Sequence, residues 1–118
     1  MINTGMYLRR LVFAVVLAAF VLPGINFAQE KLSATATKQW QEANIALRQN
    51  DLPKALSLYK RVMYHAEAKG NTAAAVRAYE AIALVHKKRS DYDQARDYCR
   101  RAIRTGVPTF RAYAIFAQ

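Results

Sequence analysis

The chain has little of what staples, breaks or catalyses. A single cysteine, Cys99, excludes an internal disulfide and leaves too few thiols for a Cys-based zinc site, so the fold must hold by packing. Four Gly and three Pro in 118 residues exclude a low-complexity or disordered chain. The two histidines, His65 and His86, fall on different helical segments with no acidic or cysteine cluster beside either, which argues against a metal site. No Ser-His-Asp ordering, no paired catalytic carboxylates and no Gly-rich phosphate loop is present. The expectation is a non-enzymatic protein without a cofactor. Acidic residues are scarce as well: eight Asp+Glu face eighteen Lys+Arg, a net charge of +10. Such an excess favours anionic partners, whether acidic peptide, anionic lipid or nucleic acid.

Residues 1–28 read as a secretory signal peptide. Arg9-Arg10 precede twelve uninterrupted apolar residues, Leu11 to Leu22, and Pro23-Gly24 break the run before a small residue, Ala28, at the expected cut. The competing reading is an uncleaved membrane anchor. Twelve residues span only ~18 Å as a helix against a hydrocarbon core of ~30 Å, which favours cleavage. Either reading exports the body, to the periplasm or beyond the cell, and export disfavours nucleic acid. Residues 29–118 keep sixteen Lys+Arg against eight Asp+Glu, so a net +8 survives processing.

From Ala43 to Arg104 the same pattern occurs twice. Ala43, Asp51, Ala55 and Arg61 recur forty positions on as Ala83, Asp91, Ala95 and Arg101, with Ile45 matching Val85, Leu52 matching Tyr92 and Met63 matching Ile103. Each copy reads as helix, polar turn, helix. After a lead-in over 29–35, a first helix runs from about Thr35 to Gln49, with Ala36, Trp40, Ala43, Ala46 and Leu47 at helical spacing. Asn50-Asp51 turn the chain, Asp51 caps the next helix and Pro53 is harmless in its first turn. That helix places Leu52, Ala55, Leu56, Tyr59, Val62, Met63 and Ala66 on one face and stops at Lys69-Gly70-Asn71. Thr72 is the expected cap of a third helix reaching about Lys88. A fourth, Tyr92 to Arg104, should bury Tyr92, Ala95, Cys99, Ala102 and Ile103. The tail from Thr109 opens a fifth helix whose stripe of Phe110, Tyr113, Ala114 and Ala117 should cover the end of the second pair.

These residues resemble the tetratricopeptide repeat. In each copy a small residue (Ala43, Ala83) precedes the key alanine (Ala55, Ala95), with a family aromatic place four residues after it and a small-residue place seven after it. Tyr59 and Val62 fill those places in the first copy, Cys99 and Ala102 in the second. Small residues at the crossings let two helices approach closely, and the aromatic fills the space beside them. Asp91-Tyr92-Asp93-Gln94-Ala95 is the most typical piece. The forty-residue period resembles the longer-helix variety, with residues 64–71 as the insertion. Cys99 departs from the aromatic, and Trp40 sits one place late, whereas Tyr79 is in place.

The resemblance implies an all-α solenoid of antiparallel helix hairpins: one repeat over 36–71, a second over 72–108, and a partial capping helix over 109–118. It also implies a protein-binding groove lined by the first helix of each pair. The groove places are Trp40, Asn44 and Arg48 in the first pair, and Arg77, Glu80, Leu84, Lys87 and Lys88 in the second. Some members clamp a partner's terminal carboxylate with Asn and Lys. Asn44 holds such a place, but Trp40 stands where a clamp Lys belongs, so that specificity is not carried over. The implied function is an adaptor or assembly factor of the cell envelope for a protein or peptide partner of acidic character. Two alternatives stand beside it: self-association through the tail, and attachment of a basic face to anionic lipid. On the fourth helix Asp93 is spaced to pair with Arg96, and Asp97 with Arg100 or Arg101, which describes a solvated, self-paired surface.

Overall fold

A computed structural model describes residues 32–117. The readings of residues 1–28 as leader or anchor lie outside them. Five helices follow one another: α1 Ala34–Arg48, α2 Leu52–Ala68, α3 Thr72–Lys88, α4 Tyr92–Arg104 and α5 Phe110–Ala117. Among the described residues there is no strand, and no helix is long and apolar enough to cross a membrane. Each helix packs on the next, and α5 rests on α4 and α3. This is the expected all-α stack of four long helices and a short fifth.

The turns explain the regularity. Residues 49–51, 69–71 and 89–91 join the first four helices, and in each the middle residue adopts the left-handed region: Asn50 at φ 59°, Gly70 at 67° and Ser90 at 63°. The third residue then returns its N–H to a carbonyl in the preceding helix. Asp51 donates to Ala46 at 2.8 Å, Asn71 to Ala66 at 2.9 Å and Asp91 to His86 at 2.8 Å. That closes the orphaned carbonyls of the helix end. The same third residue is the N-cap of the next helix, so one residue ends one helix and starts the other.

With three-residue turns and two seventeen-residue helices, α2 and α3, the chain advances in steps of twenty. Ala46, Ala66 and His86 are all buried, as are Ala55, Ala75 and Ala95; Leu58, Ala78 and Tyr98; and Val62, Ile82 and Ala102. The forty-residue pattern is thus a twenty-residue pattern taken twice. Alanines at the contacts keep neighbouring backbones close, and Tyr59, Met63, Val62, Ile82 and Val85 supply the largest buried volumes. Full burial of a side chain such as Val62 or Ile82 contributes roughly 1.5–3 kcal/mol.

Several expectations need correction. Asn71, not Thr72, caps α3: its Oδ1 accepts from the Ala74 N–H at 3.1 Å, and the side chain is buried. Tyr92 is 56 % exposed, and Tyr98 takes the buried place instead. Ala95, Tyr98, Cys99 and Ala102, at i, i+3, i+4 and i+7, form the stripe that points inward; Tyr92 leads α4 from just beyond the turn. Ile45 is exposed although its counterpart Val85 is fully buried. On α5 the inward residues are Ala112 and, in part, Ile115, while Phe110, Tyr113 and Ala114 face outward. The capping bond fixes that rotation. Thr109 is buried, its Oγ1 accepts from the Ala112 N–H at 3.3 Å and its hydroxyl donates to Glu80 Oε1.

Candidate functional site

The eight groove places lie on α1 and α3, the first helix of each pair, above the equivalent positions Tyr59 and Cys99 of α2 and α4. On α1 three of them converge on one side chain. Trp40 meets Tyr59 edge-on, with ring centroids 5.1 Å apart and planes at 64°. The Tyr59 hydroxyl donates to Asn44 Oδ1 at 2.6 Å. Burial pushes the Tyr59 hydroxyl pKa up, and the positive charge of Arg48 opposes that rise. Trp40 and Asn44 are half-buried and Arg48 is exposed. Asn44 therefore spends its carbonyl oxygen inside the hairpin.

Beneath α3 the shorter Cys99 of α4 leaves this arrangement without its hub. The thiol is fully buried, and burial raises its pKa; Glu80 raises it further and Lys87 opposes. Glu80, Leu84 and Lys87 are all half-buried on α3. Glu80 is committed to Thr109 of α5. Arg77 and Lys88 are exposed near the two ends of the helix. The structure therefore gathers Trp40, Asn44 and Arg48 into one group and Glu80, Leu84 and Lys87 into another. Arg77 and Lys88 stay at the margins.

A second constellation, which sequence reasoning missed, joins α2, α3 and α4. The Tyr79 hydroxyl donates to Glu67 Oε1 at 2.9 Å, and its pKa is pushed up to about 12 by burial, with the Glu67 hydrogen bond and charge adding to it. Tyr98 packs against Tyr79 at 6.4 Å and stacks on His86 at 5.7 Å, 14° between planes. The Arg101 guanidinium carbon lies 4.9 Å above the Tyr98 ring centroid, a cation–π contact. The signal was present in the helical spacing of Ala95, Tyr98 and Ala102. His86 is buried, its Nδ1 3.4 Å from Asp91 Oδ2 in an electrostatic contact that falls short of a hydrogen bond.

Cys99 has no exposure from which to attack, and among the described residues no cluster of His, Cys, Asp and Glu is placed to hold a metal. The outer face of α4 is self-paired: Arg96 meets Asp93 at 3.7 Å and Arg100 meets Asp97 at 3.8 Å, both exposed. Such pairs contribute ~0.2–0.5 kcal/mol each.

No curated protein and no solved structure shows significant similarity to the chain. The family model described as tetratricopeptide repeat matches residues 34–105, more than half of the chain and the whole of α1 to α4. With its hairpins, its small-residue crossings and that match together, the chain belongs to the tetratricopeptide repeat family, whose repeats generally mediate protein–protein interaction.

Proposed function

We propose that the chain is a non-enzymatic adaptor of the cell envelope that binds a segment of a partner protein across the face shared by α1 and α3. The observation that carries this reading is the grouping of Trp40, Asn44 and Arg48 over Tyr59. An aromatic ring and a side-chain amide are held by a buried tyrosine, with the charge of Arg48 near by, and ordering them in advance lowers the cost of binding. Trp40 and Leu84 supply apolar contact. Arg48, Arg77, Lys87 and Lys88 outnumber Glu80 on the same face, which selects an acidic or backbone-presenting segment. Export rests on the apolar run of Leu11 to Leu22 behind Arg9-Arg10.

The test is the double substitution Arg48→Gln and Lys88→Gln. Both side chains are exposed, so the helical circular dichroism should be unchanged, whereas affinity for a partner isolated from envelope extract should fall severalfold and lose part of its salt dependence. Trp40→Ala should weaken the complex by about tenfold or more, as for a central aromatic anchor. Unchanged affinity in both variants would remove the α1–α3 face as the binding surface.

A further inference from the structure

His86 stands where the stack elsewhere uses alanine. Ala66 and Ala46 hold the equivalent buried places twenty and forty residues earlier, and each gives its carbonyl to the N–H of the third turn residue, as His86 does. An alanine side chain makes no demand for hydrogen bonds; the imidazole does. It is 6 % exposed, and neither Nδ1 nor Nε2 has a hydrogen-bond partner among the described residues. A buried donor and a buried acceptor left unpaired cost free energy, so such a group in a native fold calls for an explanation.

The surroundings supply one. Lys60 comes to the ring from α2, Arg89 from the end of α3, and Asp91 and Tyr98 from α4. Asp91 Oδ2 lies 3.4 Å from Nδ1, but its side chain is 45 % exposed. Tyr98 stacks on the imidazole and carries the Arg101 guanidinium over its own ring. A proton on His86 therefore adds a cation to Lys60 and Arg89, with Arg101 one ring further on, against a single carboxylate already in contact with water. The same ring is where α4 meets α3. Asp51 and Asn71 cap the helices that follow them, whereas Asp91 is turned toward His86 and α4 starts without a side-chain capping bond. Cys99, next to Tyr98 in the chain, is fully buried while that contact is made.

We propose that His86 is an acid-operated release for the α3–α4 joint: its protonation parts α4 from α3 at Tyr98 and uncovers Cys99, while the helices themselves stay formed. Burial lowers the imidazole pKa from 6.5, Asp91 opposes that, and Lys60 and Arg89 reinforce it. In the opened joint the ring meets water and returns to its ordinary value. The closed state is therefore favoured above 6.5 and loses ground as pH falls from there through the folded value. Glu80 and Lys87 of α3 both act on the charge of the Cys99 thiol, so opening also loosens the α3 part of the partner-binding face. That consequence rests on the function proposed above; the opening itself does not.

The test reads Cys99 in the full chain with no partner present, so its outcome is independent of the α1–α3 binding surface. The rate of reaction with dithiodipyridine is divided, at each pH, by the rate for a peptide with the sequence of residues 95–103. That ratio should rise about tenfold from about pH 7.5 to about pH 5, since one proton gives at most tenfold per pH unit. Far-ultraviolet circular dichroism should hold steady over the same range. His86→Ala, which installs the residue found at positions 46 and 66, should make the ratio flat. Lys60→Gln should make the rise smaller, and His65→Gln should leave it as in the native chain. These two variants decide the matter should His86→Ala fail to fold. The proposal is overturned by a flat ratio in the native chain, by a rise that persists in His86→Ala, by one undiminished in Lys60→Gln, or by one that disappears in His65→Gln. A rise matched by an equal loss of helical signal would also overturn it, because the whole stack would then be melting rather than this joint opening.

Discussion

His86 shows how one substitution within a repeat redirects a neighbour. At the equivalent place in the first pair sits Ala46, and there Asp51 is free to cap α2, its Oδ1 accepting from the Lys54 N–H at 3.3 Å. In the second pair the imidazole is buried, and the Asp91 carboxylate turns toward it, so α4 has no side-chain capping bond. Burial lowers the His86 pKa from 6.5; Asp91 opposes that, and Lys60 and Arg89 reinforce it. A group whose folded pKa is depressed binds its proton more readily in the unfolded chain. Its neutral form supports the fold above the unfolded value of 6.5, and stability is lost as pH falls from there through the folded pKa. Thermal melts should therefore be flat on the alkaline side of neutrality and move to lower temperature as the solution becomes acidic. The His86→Ala variant should lose that acid-side slope between neutrality and the carboxylate range, even if it melts lower overall for want of the Tyr98 stacking partner. An unaltered slope in the variant would place the titrating group elsewhere.

At the scale of the helix, the caps and turns decide which stability is local. Asn71 is buried and bonded to the Ala74 N–H, so Asn71→Ala should cost about 1–2 kcal/mol, the upper range for a lost cap, because the N–H it abandons is shut away from water. Asp51→Ala, at an exposed cap, should cost about 1 kcal/mol, and Asp91→Ala about 0.5 kcal/mol, since no capping bond is lost there, only charge near a helix N-terminus and the contact with a neutral His86. Urea unfolding of the three variants should return that order. Helix limits were legible in the sequence to within a residue or two, because Asn50-Asp51, Gly70-Asn71 and Ser90-Asp91 announce both a stop and a start. Thr72 was misread as a cap since Thr is itself a good one; only the backbone shows that Asn71 has already left the helix. The rotation of α5 was not legible. Its Phe, Tyr and Ala residues suit either face, and the choice rests with Thr109, whose bond to Glu80 joins residues twenty-nine apart in the chain.

Across the whole molecule the twenty-residue step makes contacts local: each helix is held chiefly by the helix before and the helix after. Ala43, Ala55, Ala83 and Ala95 made the doubled pattern visible in the sequence. The finer step of twenty was hidden because the same buried place is filled by Leu58, Ala78 and Tyr98 in turn, three residues that share only their burial. The eight groove positions fall on α1 and α3, but the meeting of Trp40 and Asn44 at Tyr59 required knowing where its ring and hydroxyl reach. Stability in such a stack approximates a sum of units and nearest-neighbour contacts, so the ends open before the middle. α3 has a helix on either side and buries Ala78, Ile82, Ala83 and Val85 completely. α5 is eight residues long, and its inward side is reduced to Ala112 and part of Ile115. Native-state hydrogen exchange should therefore find the greatest protection in α3, intermediate protection in α2 and α4, and the least in α5. Removing the Thr109 cap, as Thr109→Ala, should release α5 amides further while those of α3 keep their rates, because the Glu80 bond ties α5 to α3 without bearing on the packing beneath it. Protection that fell equally across all five helices would mean that the stack unfolds as one unit and that the nearest-neighbour description does not hold for it.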